Sequence, residues 1–234
     1  MQQKNLLYIS CLIFLTLLVS CKKDDLDDYD RGEPKDIIKG KIIDNITGQP
    51  ILTEQPEGIR MRLFEEGLGA NLTSIDFWAM SDGTYHQGRV FPGTYKVIPT
   101  DGAFFPVDTQ TVTVNGLAEV NFTVTPFLAI DATITTESKS VKAVYKLKRT
   151  KVGAKISDAK ILVSGVPTVS NRVFDAGKSV TRTLTGVDDV TILATQYTDV
   201  LGGLESGKIY YVRVAARTSG AQYNYSPVVK LVIP

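Results

Sequence analysis

Residue types that carry out catalysis are sparse along this chain of 234 residues. It contains one histidine, His86, and two cysteines, Cys11 and Cys21. A Ser-His-Asp or Cys-His constellation would have to be built on His86 alone, and no G-x-S-x-G turn occurs. Zinc-binding spacing, phosphate-binding glycine loops and calcium-binding loops are also missing from the sequence. We therefore expect no enzyme, no cofactor and no metal, with His86 on the surface at a strand end.

Carboxylates are the remaining side chains that could catalyse a reaction, because glycoside hydrolysis needs only two of them. The sequence offers several aspartates between the predicted strands but does not show which of them lie together. These are Asp76, Asp82, Asp101 and Asp108. Small β-sandwiches with short loops rarely enclose a deep cleft, so a glycan-cleaving enzyme is the remote alternative.

Aromatic side chains point instead to binding, since their flat faces pack against the C–H surfaces of sugars. Adjacent residues of a strand face opposite ways, and alternation with Ile75 turns Phe77 inward and Trp78 outward. We predict Trp78, Tyr223 and Tyr225 as ligand-binding residues. The alternative is burial, because large aromatics are usually mostly covered: Trp78 beneath a loop or the other domain, and the tyrosines in ordinary packing.

Cys21 ends an N-terminal segment of distinctive composition. Lys4 is followed by the apolar run Leu6–Val19, which is shorter than the roughly 20 residues that span a membrane. The run matches a secretory signal, and Leu18–Cys21 resembles a lipoprotein signal. We expect residues 1–20 to be cleaved and acyl chains such as palmitate to anchor Cys21 in membrane lipid. An uncleaved anchor helix or an ordinary secreted protein are the alternatives.

Residues 21–35 are polar, charged and poor in apolar side chains, which predicts a flexible tether. Within it, Lys23-Asp24-Asp25 resembles the surface-export signal of Bacteroidetes lipoproteins, which implies an outer-membrane protein that faces the cell exterior. A solvated linker without further meaning is the alternative. Since Cys11 lies in the leader, the mature chain has no pair of cysteines to form a disulfide.

The balance of charge gives no reason to expect nucleic acid as a partner. Net charge is +1, whereas proteins that bind nucleic acid usually carry a strong basic field. A group of basic residues does occur at alternating or turn positions, and we expect it to be a solvated strand face. It comprises Lys142, Lys146, Lys148, Arg149, Lys151 and Lys155.

The mature chain has the length of two domains of about 100 residues. Residues 36–126 show short alternating strands with turns every ten residues or so, which favours a β-sandwich. Ile59, Met61 and Leu63 should face the core. Asn115-Gly116 separates two alternating segments and predicts a hairpin.

Residues 127–234 read as a second all-β domain, with Leu128, Ile130 and Ile134 on one face of its first strand. The segment 189–194 is included among its predicted strands. Tyr210 occupies the place of a tyrosine corner, which pins the chain where it crosses between sheets.

Both domains resemble known modules. The first resembles the carboxypeptidase-regulatory or transthyretin-like sandwich, and the second resembles the fibronectin type III-like sandwich. The first resemblance depends on three motifs: Gly40-x-Ile42-x-Asp44-x-x-Thr47-Gly48-x-Pro50-Ile51, Asp82-Gly83-x-Tyr85 and Pro92-Gly93-x-Tyr95-x-Val97. The second depends on two: Leu204-x-x-Gly207-x-x-Tyr210-Tyr211-Val212-Arg213-Val214-Ala215-Ala216 and Tyr225-Ser226-Pro227.

Together, the leader and these two domains resemble a two-domain Bacteroidetes lipoprotein family of unknown function. The resemblance implies a gene in a polysaccharide-utilisation locus, beside an outer-membrane transporter and its starch-utilisation-type (SusD-like) lipoprotein. It implies no site residues.

Two functions remain open at this stage. The first is a non-catalytic glycan-binding or accessory lipoprotein of a polysaccharide-uptake system, whose partner is a polysaccharide or oligosaccharide. The second is a structural or protein-interaction module that docks on the transporter complex.

Overall fold

The structure, a computed structural model, describes residues 32–67 and 73–234. The predicted signal peptide, Cys21 and residues 21–31 of the predicted tether lie outside these residues. Residues 34–234 form one compact unit. Within the described ranges, no helix is long and apolar enough to cross a membrane.

The first sandwich is built from two facing sheets. One sheet has the strand order β4-β1-β7, and β8 also pairs with β1; the other has the order β3-β2-β5-β6. The strands of the first sheet are β1 Asp36–Asp44, β4 Thr84–Val90, β7 Leu117–Glu119 and β8 Phe122–Val124. Those of the second are β2 Arg60–Glu65, β3 Ile75–Trp78, β5 Gly93–Thr100 and β6 Gln110–Val114.

Alternation along these strands places their apolar residues in one core, as predicted. Ile59, Met61 and Leu63 are buried, and so are Tyr95 and Val97 on the neighbouring β5. A strand with one buried face has its register fixed by that face, because a slip of one residue would expose every apolar side chain. The opposite face of β2 is therefore free to carry charged residues.

The predicted hairpin at Asn115-Gly116 is wrong. The turn exists, with Gly116 at φ 88°, but β6 pairs with β5 while β7 pairs in parallel with β1. The turn therefore carries the chain from one sheet to the other. Turn chemistry fixes a local reversal of direction but does not fix which strands then pair.

The second sandwich also has two sheets, with the strand orders β13-β10-β9 and β12-β11-β14-β15, and β16 also pairs with β14. Its strands are β9 Ala129–Glu137, β10 Ser140–Lys148, β11 Ile156–Ser164, β12 Val180–Thr183, β13 Gln196–Leu201, β14 Ile209–Thr218, β15 Asn224–Tyr225 and β16 Val229–Val232. Leu128, Ile134 and Tyr210 enter its core, and Glu205 N donates to Tyr210 Oη at 3.5 Å. The all-β prediction with two sandwiches is confirmed.

Residues 189–194, predicted as a strand, form the short helix α1, Asp189–Ala194. Asp188 caps it, because its side chain accepts a hydrogen bond from Val190 N at 2.9 Å. This satisfies one of the backbone donors that a helix leaves open at its N-terminus. A 3-10 turn at Ala176–Lys178 is the other helical segment in the described ranges.

Hydrogen bonds from buried side chains join the two sandwiches. Asn224 donates through Nδ2 to Ala103 O at 2.9 Å and accepts at Oδ1 from Leu128 N at 3.0 Å. Phe105 and Phe127 meet edge to face, with their centroids 4.9 Å apart. Both polar ends of Asn224 are satisfied, so its hydrogen bonds offset the cost of burying this amide between the domains.

Candidate functional site

Trp78 lies on the outer face of the sheet formed by β2, β3, β5 and β6. Its neighbour Phe77 packs against the first core, with its ring centroid 6.2 Å from that of Tyr85. Because consecutive strand residues point to opposite faces, Trp78 lies on the other side of the sheet, where it is half-buried. The predicted orientations of Phe77 and Trp78 are therefore confirmed.

Cross-strand register places charged residues beside Trp78. Arg60 on β2 is the direct partner of Trp78, and Arg62 is the partner of Asp76. Residues opposite one another on neighbouring strands have Cβ atoms about 5 Å apart, so their side chains interact. Two strands thus bring an aromatic ring, two cations and a carboxylate together.

A second carboxylate completes this group from the turn after β5. Asp101 Oδ2 lies 3.0 Å from Arg60 Nε, and Asp76 Oδ2 lies 3.6 Å from Arg60 Nη1 and 3.4 Å from Arg62 Nε. The Arg60 guanidinium also lies over the Trp78 ring, at 4.9 Å from the centroid. We call the five residues Trp78, Arg60, Arg62, Asp76 and Asp101 the Trp78 patch.

Asp101 holds an unusual backbone conformation in this patch, with φ at 60°. Aspartate tolerates the left-handed region better than most residues, but such a conformation still costs on the order of 1 kcal/mol. Strained non-glycine residues of this kind often occur at binding sites. The turn therefore presents the Asp101 carboxylate to Arg60 at some cost in stability.

A groove of about 580 Å³ adjoins the Trp78 patch at the junction of the two sandwiches. Asp101 belongs to both features, and the remaining groove residues are Gly102, Phe127, Arg217, Gly220, Ala221 and Gln222. We call this feature the junction groove. Its volume lies in the range typical of small-ligand sites, which are often found where domains meet.

Arg217 is held in position at the groove by an ion pair behind it. Its Nε lies 2.7 Å from Asp158 Oδ2, and its guanidinium lies over the Tyr223 ring at 4.8 Å. Burial raises the pKa of Asp158, but hydrogen bonds from Tyr223 and Arg217 outweigh that effect and leave the pKa below its usual value. Arg217 is thus a positioned cation rather than a freely moving one.

Tyr223 and Tyr225 are buried, which was the alternative to their predicted role in ligand binding. The two side chains are only 3% and 8% exposed, and they pack in a small cluster on the outer face of the β11–β14 sheet. Tyr223 Oη donates to Asp158 at 2.5 Å, and Tyr225 Oη donates to Glu54 at 3.0 Å. Each ring is buried because its hydroxyl finds a carboxylate partner, so neither can stack on a sugar.

The arrangement favours binding over chemistry. Asp76 and Asp101 both contact Arg60, so they form an ion-paired group instead of facing each other across an open space. His86 is exposed on β4, opposite Lys39. Across residues 32–67 and 73–234, no group of three or more histidine, cysteine or acidic side chains is placed to hold a metal ion.

Part of this site was visible in the sequence. Alternation predicted Trp78 outward and Met61 and Leu63 toward the core, which leaves Arg60 and Arg62 on the outer face of β2. No local pattern indicates that Asp101 joins them, because its position depends on the pairing of β2 with β5. The junction groove depends on domain docking and left no sequence signal.

Comparisons with known proteins identify the family. Residues 36–125 match the N-terminal domain of DUF3823, a protein family of unknown function, and residues 127–230 match its C-terminal domain. No curated protein matches the chain.

Among solved structures, a DUF3823 family protein from Bacteroides uniformis is 28% identical, with a TM-score of 0.78 over 86% of this chain and 100% of its own. A candidate carbohydrate-binding protein from Bacteroides uniformis is 23% identical, with a TM-score of 0.72 over 85% and 99%. A DUF3823 family protein from Parabacteroides merdae is also 23% identical, with a TM-score of 0.71 over 86% and 100%. The chain therefore belongs to the two-domain DUF3823 family, whose function is unknown.

Proposed function

We propose that this protein is a non-catalytic glycan-binding lipoprotein. In this proposal, lipid on Cys21 holds it at the outer membrane, facing the cell exterior, as an accessory component of a polysaccharide-uptake system. The Trp78 patch binds the sugar chain, and the junction groove continues the binding surface across the two sandwiches.

The observation that carries the proposal is the convergence of Trp78, Arg60 and Asp101 beside a groove. The indole offers an apolar surface for the C–H face of a sugar ring, while guanidinium and carboxylate groups serve its hydroxyls as donors and acceptors. Strands position all of the patch except Asp101, so the surface is largely preformed. A relative with the same fold is described as a candidate carbohydrate-binding protein, which agrees with this assignment.

Affinity electrophoresis tests the proposal. The full chain is run through native gels that contain xylan, pectic galactan, mannan or glycogen, and we expect at least one polysaccharide to retard it. Trp78→Ala should weaken that retention about tenfold, since aromatic contacts contribute roughly 0.5–1.5 kcal/mol beyond their buried area.

Lys96→Ala is the matched control, because Lys96 lies on the same sheet and its exposed side chain pairs with Glu66 rather than with the patch. It should migrate like the unaltered protein. Equal retention of the Trp78 variant and the unaltered protein would contradict the role of the patch. A chain that no gel retards would contradict glycan binding itself.

A docking module for an outer-membrane transporter complex is the second candidate function. Ile209 and Val232 are direct partners across β14 and β16, and their side chains are 45% and 59% exposed. Two adjacent exposed apolar residues on a sheet fit a protein contact better than a sugar contact. The gel experiment separates the two functions, because docking alone predicts no retention.

A further inference from the structure

A second cavity, of about 450 Å³, lies between the sandwiches and shares no residue with the Trp78 patch or the junction groove. Both sandwiches contribute its walls. We call it the Arg213 cleft. Its lining includes Leu52, Glu54, Asp82, Thr168, Arg213 and Val228.

Arg213 is the unusual residue of this cleft. It is only 3% exposed, and its guanidinium lies over the Tyr225 ring at 3.8 Å. Nη1 donates to Val169 O at 3.0 Å. Nε and Nη2 have no hydrogen-bond partner among the described residues.

These two nitrogen atoms form one edge of the planar guanidinium. That edge is the fork that binds a carboxylate through two parallel hydrogen bonds. A buried donor without an acceptor costs about 1–3 kcal/mol, and a charged one costs more. Burial lowers the pKa of Arg213 to about 10. The lower pKa reflects the same cost, because burial destabilises the charged form of the guanidinium.

The Glu54 carboxylate, which lines the same cleft, does not take this edge. Glu54 accepts at Oε2 from Tyr225 Oη, at 3.0 Å, and forms no ion pair with Arg213 in the part of the chain that is described. Burial raises the pKa of Glu54, and the hydrogen bond from Tyr225 opposes the rise. Asp82 is exposed to solvent, where screening weakens its repulsion of a ligand carboxylate in the cleft.

The rest of the cleft wall is largely apolar, with proline rings, Leu52 and Val228 beside the polar groups. Such a wall suits the C–H face of a compact ring, and the volume is within the usual range for a small-molecule site. The occupant should therefore combine a compact ring with a planar anionic group.

We propose that the Arg213 cleft binds a hexuronate, the acidic sugar unit whose ring packs on the apolar wall and whose carboxylate accepts two hydrogen bonds from Nε and Nη2 of Arg213. The choice of a sugar rests on the proposed glycan-binding function, but the site does not involve Trp78. The two nitrogen atoms are shielded from bulk water, so ligand entry requires the groups that cover them to move aside.

Isothermal titration of the full chain, purified in detergent, tests the ligand class with galacturonate, galactose and acetate. Galacturonate and galactose differ in the carboxylate, and acetate has the carboxylate without the ring. We expect galacturonate to bind at least about tenfold more tightly than either, the size expected of a charge-assisted pair. Equal binding of galacturonate and galactose, or of galacturonate and acetate, would overturn the assignment, as would no binding of galacturonate.

Variants then locate the site. Arg213→Lys keeps the charge but removes the fork and should abolish the preference for galacturonate. Thr168→Trp should block the cleft from an exposed position, whereas Val166→Trp, on the same loop but outside the lining, should bind normally.

The Thr168 variant decides the matter if Arg213→Lys does not fold: normal galacturonate binding by Thr168→Trp overturns the proposal. Trp78→Ala should retain galacturonate binding. This variant separates the two sites. If it loses polysaccharide retention but still binds galacturonate, the cleft binds its ligand independently of the Trp78 patch.

Discussion

Gly40 shows how one missing side chain permits the pairing of β1. Val120 N donates to Lys39 O at 2.9 Å, and Tyr85 Oη donates to the Val120 carbonyl oxygen. A Cβ atom on Gly40 would overlap both that carbonyl oxygen and the tyrosine hydroxyl. Gly40 is therefore required for close approach of the backbone. Gly83, in the turn before β4, is required both for its φ of 77° and because a Cβ atom there would overlap Ile51 O.

Gly40→Ala should consequently lower the free energy of unfolding by about 3 kcal/mol or more, at the upper end of the usual cost of overpacking. Gly165→Ala is the control, because its Cβ would meet nothing within 4 Å and should change stability by less than about 0.5 kcal/mol. Urea unfolding monitored by fluorescence measures both. Equal midpoints for the two variants would contradict the contact described at Gly40.

Single side chains also mark the limit of what the sequence can predict. Trp78 could be placed outward because alternation with its own neighbours decides its face. Tyr223 and Tyr225 could not be placed, because their burial depends on the carboxylates of Asp158 and Glu54, far away in the chain. Local pattern predicts which way a side chain points but not what covers it.

At the scale of elements, helix α1 is tied to the sheet by Asp189. Its Oδ2 lies 3.0 Å from Arg149 Nη1, and its Oδ1 accepts from Ile156 N at 3.2 Å. The Arg149 side chain is only 7% exposed, so the expectation that this basic residue is solvated is wrong. The helix escaped prediction because six residues are too short to show a helical period, and its Val-Thr-Ile run favours a strand.

The adjacent aspartates of this helix should differ in their effect on stability. Asp188→Ala removes an N-cap and should cost about 1 kcal/mol. Asp189→Ala leaves the buried charge of Arg149 without its ion-pair partner and should cost about 3 kcal/mol or more. Thermal and urea unfolding of the pair give the comparison, and a larger loss for Asp188→Ala would contradict the buried ion pair.

At the scale of the whole molecule, the sequence predicts two sheets in each domain but not how the domains dock. Strand alternation is local, whereas the docking bonds join residues 121 positions apart, for Asn224 with Ala103, and 171 positions apart, for Tyr225 with Glu54. Both proposed binding features, the junction groove and the Arg213 cleft, exist because of this docking. These two proposed features therefore need both sandwiches, whereas the Trp78 patch is built on the first sandwich alone.

Docking should depend on pH through Glu54. Burial raises its pKa above the usual 4.5, although the hydrogen bond from Tyr225 and nearby arginines oppose the shift. Because its pKa is higher in the folded protein than in the unfolded chain, the folded state holds the proton more tightly. The contribution of Glu54 to stability is therefore fully present below about pH 4.5 and is lost as pH rises through the folded pKa.

Urea unfolding from about pH 4 to about pH 8 measures this dependence. Glu54→Gln keeps an acceptor for Tyr225 but cannot titrate, so its stability relative to the unaltered protein should rise with pH across this window. Tyr225→Phe should move the pH range over which stability is lost to higher values. The tyrosine hydroxyl favours the ionised form of Glu54, so without it the pKa of Glu54 rises further. Parallel stability curves for all three proteins would mean that Glu54 titrates alike in the folded and unfolded chain, and that its contact with Tyr225 does not couple the domains to pH.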